Sequence, residues 1–355
     1  MPFVLSALHR SLRLQRFNMN ISLPVYQHPT LTILIDDSQS FLDSLAFQLP
    51  PNMVRKVFHD TQLALEWLRD AYRHSPSKSQ SIRVNYDEQS FSFDRRTVAV
   101  DIDQIYRQSM NRRRFLLPSV LVIDYAMPQM NGLAFCEAVR DLPCKKILFT
   151  GQADEKIAID AFNRGLIDRF IKKSDHDALD HLELEIHSLQ KEFFHTRSLT
   201  LKDLLSRHSY TFLSDPAMAT LVEQLCKRHG FVEYYLFPNP TGILFFDMQG
   251  KATLMVVETE ASLMSQLEVA QDYAAPLELL TGLREMRLVP FFSDSDGMFT
   301  DAIRHDWLSY CLPAQICFGT QEYYWALFDF PKHYSREPFY SLADFLRDQS
   351  ADIKS

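Results

Sequence analysis

Ser119-Val120-Leu121-Val122-Ile123-Asp124 is followed at once by Tyr125-Ala126-Met127-Pro128-Gln129-Met130-Asn131-Gly132. A short run rich in β-branched residues predicts a strand buried on both faces. The acid at its end and the Pro and Gly beyond it predict a polar loop and then a helix. The same grammar recurs to either side. Leu31-Thr32-Ile33-Leu34-Ile35 ends in Asp36-Asp37, and Ser38 can cap a helix carrying Phe41, Leu42, Leu45 and Leu49. Val54 to Phe58 is a second strand. Lys146 to Phe149 is a fourth, ending at Thr150, and Arg169 to Ile171 is a fifth, ending at Lys172.

Strand and helix thus alternate five times. That pattern predicts a parallel sheet with helices on both faces and a ligand site outside the carboxyl ends of the strands. Those ends carry Asp36, Asp37, Asp124, Thr150 and Lys172. Three converging carboxylates repel one another unless a cation sits among them. An all-oxygen set suits Mg2+. Asp124, ending the central strand, is placed to be both metal ligand and nucleophile toward phosphorus.

These residues resemble the receiver domain of two-component response regulators. Asp124-Tyr125-Ala126-Met127-Pro128 through Gly132 matches its D-x-x-M-P-x-x-x-G signature, and the acidic pair, Thr150 and Lys172 follow in the family's order. The resemblance implies a flavodoxin-like α/β fold with strand order 2-1-3-4-5. It implies that Asp124 is phosphorylated by a histidine kinase or phosphotransfer protein. Asp36, Asp37, Asp124 and the backbone carbonyl of Ala126 would hold Mg2+, and Thr150 and Lys172 would contact the phosphoryl group. Pro128 and Gly132 would shape the loop, the latter through its free φ. Three departures stand out. Lys173 occupies the place usually held by a proline after the lysine. Arg169 stands where an aromatic usually lies three residues before it, and is expected to face outward onto an acid such as Asp154 or Asp168, or one on a partner subunit. The 88 positions between Asp36 and Asp124 are about twice the family's spacing.

The excess falls at about 73–115. Ile82 to Tyr86 and Ser90 to Phe93 alternate as a hairpin would, and Arg95-Arg96 and Arg112-Arg113-Arg114 make the segment basic. It is expected to be either a solvated excursion or a contact for a kinase, a partner subunit or the acidic second half. Residues 1–29 are expected to be a mobile basic leader, residues 30–193 the receiver, and residues 194–355 a separate output domain, with a break in the connecting helix near His195.

The chain has 355 residues, 46% hydrophobic and 23% charged, and a net charge of −8. Those proportions exclude collagen-like and disordered classes. Residues 1–195 carry 24 basic and 24 acidic side chains, whereas 196–355 carry 13 and 21. An acidic second half disfavours nucleic-acid binding, which leaves a basic footprint. No apolar run reaches membrane-span length. The five cysteines lack zinc spacing and read as reduced thiols of a cytoplasmic protein.

In the second half, Ser214-Asp215-Pro216 starts a helix ending at Gly230, Val232 to Phe237 is a strand, and a hairpin turns at Met248-Gln249-Gly250. A helix over 261–274, strands at 287–292, 314–319 and 323–330, and a helix near 300–311 complete an α+β domain with an antiparallel sheet. Asp247, Glu258 and Glu260 raise metal-nuclease chemistry, but acids alternating on strands usually mark a solvent face. The stretch from Gly242 to Lys251 faintly resembles the opening of PAS sensor domains. No output active site stands out, so enzymatic activity is left open. The whole layout is similar to the response regulators of α-hydroxyketone quorum-sensing circuits. The expected function is a phosphorylation-dependent regulator acting through protein contacts, within a homodimer. The alternatives are an enzymatic or nucleotide-binding output, or a DNA-binding regulator.

Overall fold

Two strands have no solvent-facing residue: β2 (Leu31–Ile35) and β6 (Pro118–Ile123) are buried at every position. In the computed structural model, which describes residues 22–73, 82–86, 96–151, 155–207, 210–334 and 338–352, they form the middle of a five-stranded parallel sheet. Its order is β3 (Arg55–Phe58), β2, β6, β7 (Lys145–Thr150), β8 (Arg169–Lys172), the expected 2-1-3-4-5. Helices α1 (Gln39–Gln48) and α6 (Ala178–Leu205) cover one face, burying Leu42, Leu45, Leu182 and Ile186 against Leu34, Val122 and Ile147. Helices α2 (Thr61–Arg73), α4 (Gly132–Ala138) and α5 (Glu155–Asn163) cover the other, with Leu65, Leu68, Phe135 and Ala161 against Ile33 and Leu121.

The second half is built on a six-stranded antiparallel sheet. Its order is β1 (Tyr26–Gln27), β9 (Phe231–Phe237), β10 (Gly242–Asp247), β11 (Ala252–Glu258), β15 (Glu322–Asp329), β14 (Gln315–Phe318). A small pair, β12 (Leu288–Pro290) with β13 (Cys311–Pro313), lies beside it. Helix α7 (Pro216–His229) begins as expected: Asp215 accepts from the Ala217 N–H at 2.9 Å, Pro216 opens the helix, and Gly230 ends it at φ 69°. Helix α8 (Glu260–Asp272) starts with Thr259 and Ser262 capping each other. Pro276 then precedes a further helix, α9 (Leu277–Arg284), which the sequence reading did not include. The helix expected near 300–311 is two short 3-10 turns, Asp301–Ile303 and Trp307–Tyr310.

Four chain segments interlock the halves; of these, the sequence reading had offered a contact with the second half only for the insertion, and had broken the connecting helix near His195. First, part of the expected leader is core. Leu23, Val25, Tyr26 and His28 are buried, and Tyr26 and Gln27 extend the second sheet opposite Tyr235 and Tyr234. Second, the insertion holds a hairpin of β4 (Ile82–Tyr86) with β5 (Arg96–Val100), then α3 (Asp103–Tyr106) and the turn Arg112–Leu116. Ser90 to Phe93 lies outside the described residues. Ile105 is buried in the core of the second half. Third, α6 runs unbroken past His195. It has no Pro or Gly, and the Thr196 hydroxyl bonds back to the Glu192 carbonyl at 2.9 Å. Its Leu182, Ile186 and Leu189 belong to the first half, its Phe193, Phe194, Leu201 and Leu205 to the second. Fourth, α10 (Leu342–Asp352) returns to the first half, where Leu342 and Phe345 are buried with Leu31, Val54 and Phe115.

A buried ion pair sits where these segments meet. Arg114 donates to both carboxylate oxygens of Glu233 on β9, at 2.8 and 2.7 Å, and to the Tyr340 carbonyl at 2.7 Å. Tyr235 donates its hydroxyl to the same carboxylate at 2.8 Å. Both side chains are essentially excluded from water, at 3% and 0% exposure. Beside them the rings of His28, Tyr26 and Tyr235 lie nearly parallel, each about 6 Å from the other two, and His28 is edge-on to Phe194 and Phe115. Burial, with Arg114 and Arg197 nearby, pushes its pKa down to about 3.

Arg114→Met or Glu233→Leu alone leaves a buried charge unpaired and should cost about 3–5 kcal/mol in urea denaturation. The double variant should cost less than either single one. Additive losses would contradict this. His28 stays neutral while folded but takes a proton near pH 6.5 when unfolded, so its stabilisation is complete above that pH and falls as pH drops toward 3. Between pH 6.5 and 5 the loss is about 2 kcal/mol. In His28→Phe that part of the pH dependence should vanish.

Candidate functional site

Asp36 and Asp124 end the adjacent strands β2 and β6, and both are buried. Each carboxylate has one oxygen tied to the backbone. Asp36 Oδ1 accepts from the Ser38 N–H at 2.9 Å, and Asp124 Oδ2 from the Ala126 N–H at 2.7 Å. The other oxygen of each meets the same cation. Lys173 Nζ lies 2.5 Å from Asp36 Oδ2 and 2.8 Å from Asp124 Oδ1. The ammonium also lies over the Phe41 ring at 4.0 Å, with Phe149 farther off at 5.9 Å. Two like charges at the ends of neighbouring strands are thereby held as one neutralised cluster.

The bridging cation is Lys173, where Lys172 was expected. Successive strand residues point to opposite faces. Ile171 is packed on the α1/α6 face with Phe149 and Leu34, so Lys173, two residues on, reaches the Phe41–Phe149 side where the acids lie. Lys172 is the last residue of β8, paired in register with Thr150, and points to the other face. This shift by one removes one apparent departure. The residue three before Lys173 is Phe170, an aromatic packed against the first-half core. The residue after it is Ser174, so the departure from proline stands.

Thr150 is where the sequence reading put it, buried at the end of β7, with its carbonyl accepting from the Lys173 N–H at 3.0 Å. Asp37 is exposed beside the buried pair. Among the described residues no group of three or more His, Cys, Asp or Glu side chains is arranged to hold a metal. Mg2+ needs only one or two carboxylates with water and phosphate oxygens, so the oxygen donors of Asp36 and Asp124 suit it in kind.

The loop after Asp124 is shaped by closeness. A Cβ on Gly132 would lie 2.2 Å from the Asp124 carbonyl oxygen, and its φ is not positive. Glycine is therefore required by space and not, as expected, by conformation. Asn131 caps α4 by accepting from the Ala134 N–H at 2.9 Å. Gln129 links this loop to the start of α2 through Thr61 and Asp60, each at 3.3 Å. Sequence reading missed Gln129; only its loop position hinted at it.

Arg169 meets acids as expected, but its side chain is largely covered, at 19% exposure, and the carboxylate of Asp168 is not its partner; Asp154 lies outside the described residues. Arg169 pairs with Glu185 at 2.5 Å and Glu192 at 2.7 Å, both on α6. The guanidinium thus fastens the amino end of β8 to the helix that enters the second half.

Lys173→Met leaves two buried carboxylates without their cation and should destabilise the protein by about 3–5 kcal/mol at pH 7. Asp36→Asn in that background should recover part of the loss. Lys172→Met should cost under about 1 kcal/mol. Chemical denaturation of the full chain measures all three, and equal losses for the two lysines would contradict the assignment.

The description "response regulator receiver domain" matches residues 91–182. The matched stretch starts within the insertion and leaves out β2 and its acids, as a receiver split by an insertion would produce. No curated protein sequence matches the chain. Among solved structures, the Legionella pneumophila response regulator LqsR is 30% identical, with 94% of this chain and 98% of that one covered at a TM-score of 0.75. The Francisella response regulator 1452 receiver domain, 15% identical, covers 46% of this chain and 98% of its own at a TM-score of 0.30. A CheY-like receiver from Methanospirillum hungatei is 16% identical, covering 46% and 95% at 0.30. Similarity to LqsR spans both halves, and with the split receiver sheet and its acidic edge it makes this chain a member of the response-regulator family.

Proposed function

We propose that the chain is the regulator of a phosphorelay, phosphorylated on Asp124 by a histidine kinase or phosphotransfer protein. The observation that carries this reading is the single ammonium of Lys173 shared by Asp36 and Asp124 at the carboxyl edge of the sheet. A carboxylate oxygen of Asp124 attacks phosphorus, the donor's P–N bond breaks, and the imidazole leaves. Lys173 moves from the carboxylates toward the new phosphoryl oxygens, and Thr150 supplies a hydroxyl there. Asp36, Asp37, Asp124 and the Ala126 carbonyl would be the oxygen donors for Mg2+, which would supply further charge neutralisation at the phosphoryl group. Mg2+ needs only part of this set from the protein, so an exposed Asp37 is compatible with it.

The output acts through protein contacts, in quorum-sensing-type signalling in the cytoplasm. The acidic second half supports protein contact over nucleic acid, and no described helix is long and apolar enough to cross a membrane. The homodimer of this reading uses α5 and α6 beside edge strand β8, where Ile159 and Leu184 are exposed.

Acetyl phosphate with Mg2+ should label the wild-type chain, and Asp124→Asn should abolish the label while leaving the fold intact. Asp37→Ala should raise the Mg2+ concentration for half-maximal labelling roughly tenfold. Lys172→Met should label as wild type does. Full labelling of Asp124→Asn would overturn the assignment.

A further inference from the structure

Among the described residues the two larger sheets end in four edge strands, and three are blunted. β1 has two residues, β3 carries Arg55 and Lys56, and β8 carries Arg169 and Lys172. Short length and charge are the usual protections against a further strand. β14 is as long as β3 and β8 but lacks their charge, since Gln315-Ile316-Cys317-Phe318 is uncharged. Ile316 is 46% and Phe318 71% exposed. Both lie on one face of the sheet, opposite Tyr324 and Glu322 of β15. Among the described residues, no backbone hydrogen bond runs from 315–318 to any element other than β15. Beside the strand is a groove whose lining includes Met286, Leu288, Pro313 and Ile316 together with the charged pair Glu285 and Arg287.

The occupant is set by charge. Residues 196–355 carry an excess of eight acids. Near the strand, Glu322 stands opposite Phe318, and the guanidinium of Arg287, which lines the groove, is already paired with Glu285 at 2.6 Å. Two copies of so acidic a half repel each other, whereas a basic segment is drawn in. We propose that β14 is a strand-addition site that takes an extended segment of a partner protein in which apolar residues alternate with lysine or arginine. The partner's backbone pairs with the free edge, and its apolar side chains cover Ile316, Phe318 and the groove. Nothing in this site depends on phosphorylation of Asp124.

The test uses the full-length chain and a short fluorescent peptide alternating isoleucine with lysine, read by anisotropy. The peptide should bind, and Ile316→Lys and Phe318→Lys should each weaken it about tenfold or more with unchanged melting, since both side chains are exposed. N-methylation of alternate peptide residues should abolish binding on one edge of the peptide and spare it on the other. A peptide alternating isoleucine with glutamate should bind about tenfold more weakly. Absence of binding, indifference to N-methylation at either edge, or indifference to both substitutions would overturn the proposal. So would a concentration-dependent dimer in ultracentrifugation that Phe318→Lys removes, because the occupant would then be a second copy.

Discussion

One ammonium serves two buried carboxylates at the carboxyl edge of the parallel sheet. Asp36 and Asp124 end strands that are direct neighbours, so their charges are brought together by the fold itself. Without a cation that juxtaposition would be repulsive in a place water barely reaches. Lys173 resolves it, and Phe41 and Phe149 fix where the ammonium lies. The arrangement is also responsive, because any anion formed on Asp124 offers Lys173 a second partner. In the proposed function, stability and chemistry thus share the same three side chains.

The second half lies at the other end of that sheet. It meets the amino ends of β2 and β6 through residues 22–30 and 103–117, which run directly into those strands. Five residues of strand, about 17 Å, separate this junction from Asp36. Among the described residues, the approach to the acidic edge is thus left free of the second half. α6 spans the separation as one helix, with Arg169 fastening it to β8 through Glu185 and Glu192. The Arg114–Glu233 pair, the His28 stack and the return of α10 hold the halves as one body, unlike two domains on a linker.

Much of the parallel half was legible because its signals are local. Doubly buried strands read as apolar runs, and acids and hydroxyls at their ends read as a site. The error at Lys172 came from ending the fifth strand one residue early. Two adjacent lysines give no composition signal, and only the alternation of faces, with Phe149 and Phe41 as the wall, separates them. The interlocking was not legible for a different reason. The two residues of β1 are too few to show a period, and their pairing with β9 is some 200 positions away in sequence. Arg114 stood among three arginines read as either solvated or in contact, with the acidic second half one of the partners offered, and nothing in the sequence singled out its partner Glu233. His28 carried no signal at all; its burial is a product of four elements meeting.

The account rests on Asp124 as the reacting group and Lys173 as the cation that follows the charge. The most direct measurement is a crystal structure of the full chain with Mg2+ and beryllofluoride, a phosphoryl mimic. The account predicts a beryllium–oxygen bond to the Asp124 carboxylate, with Lys173 Nζ drawn from Asp36 onto a fluoride and the Thr150 hydroxyl on another. Beryllofluoride bound elsewhere, or held by Lys172 while Lys173 stays on Asp36, would contradict it.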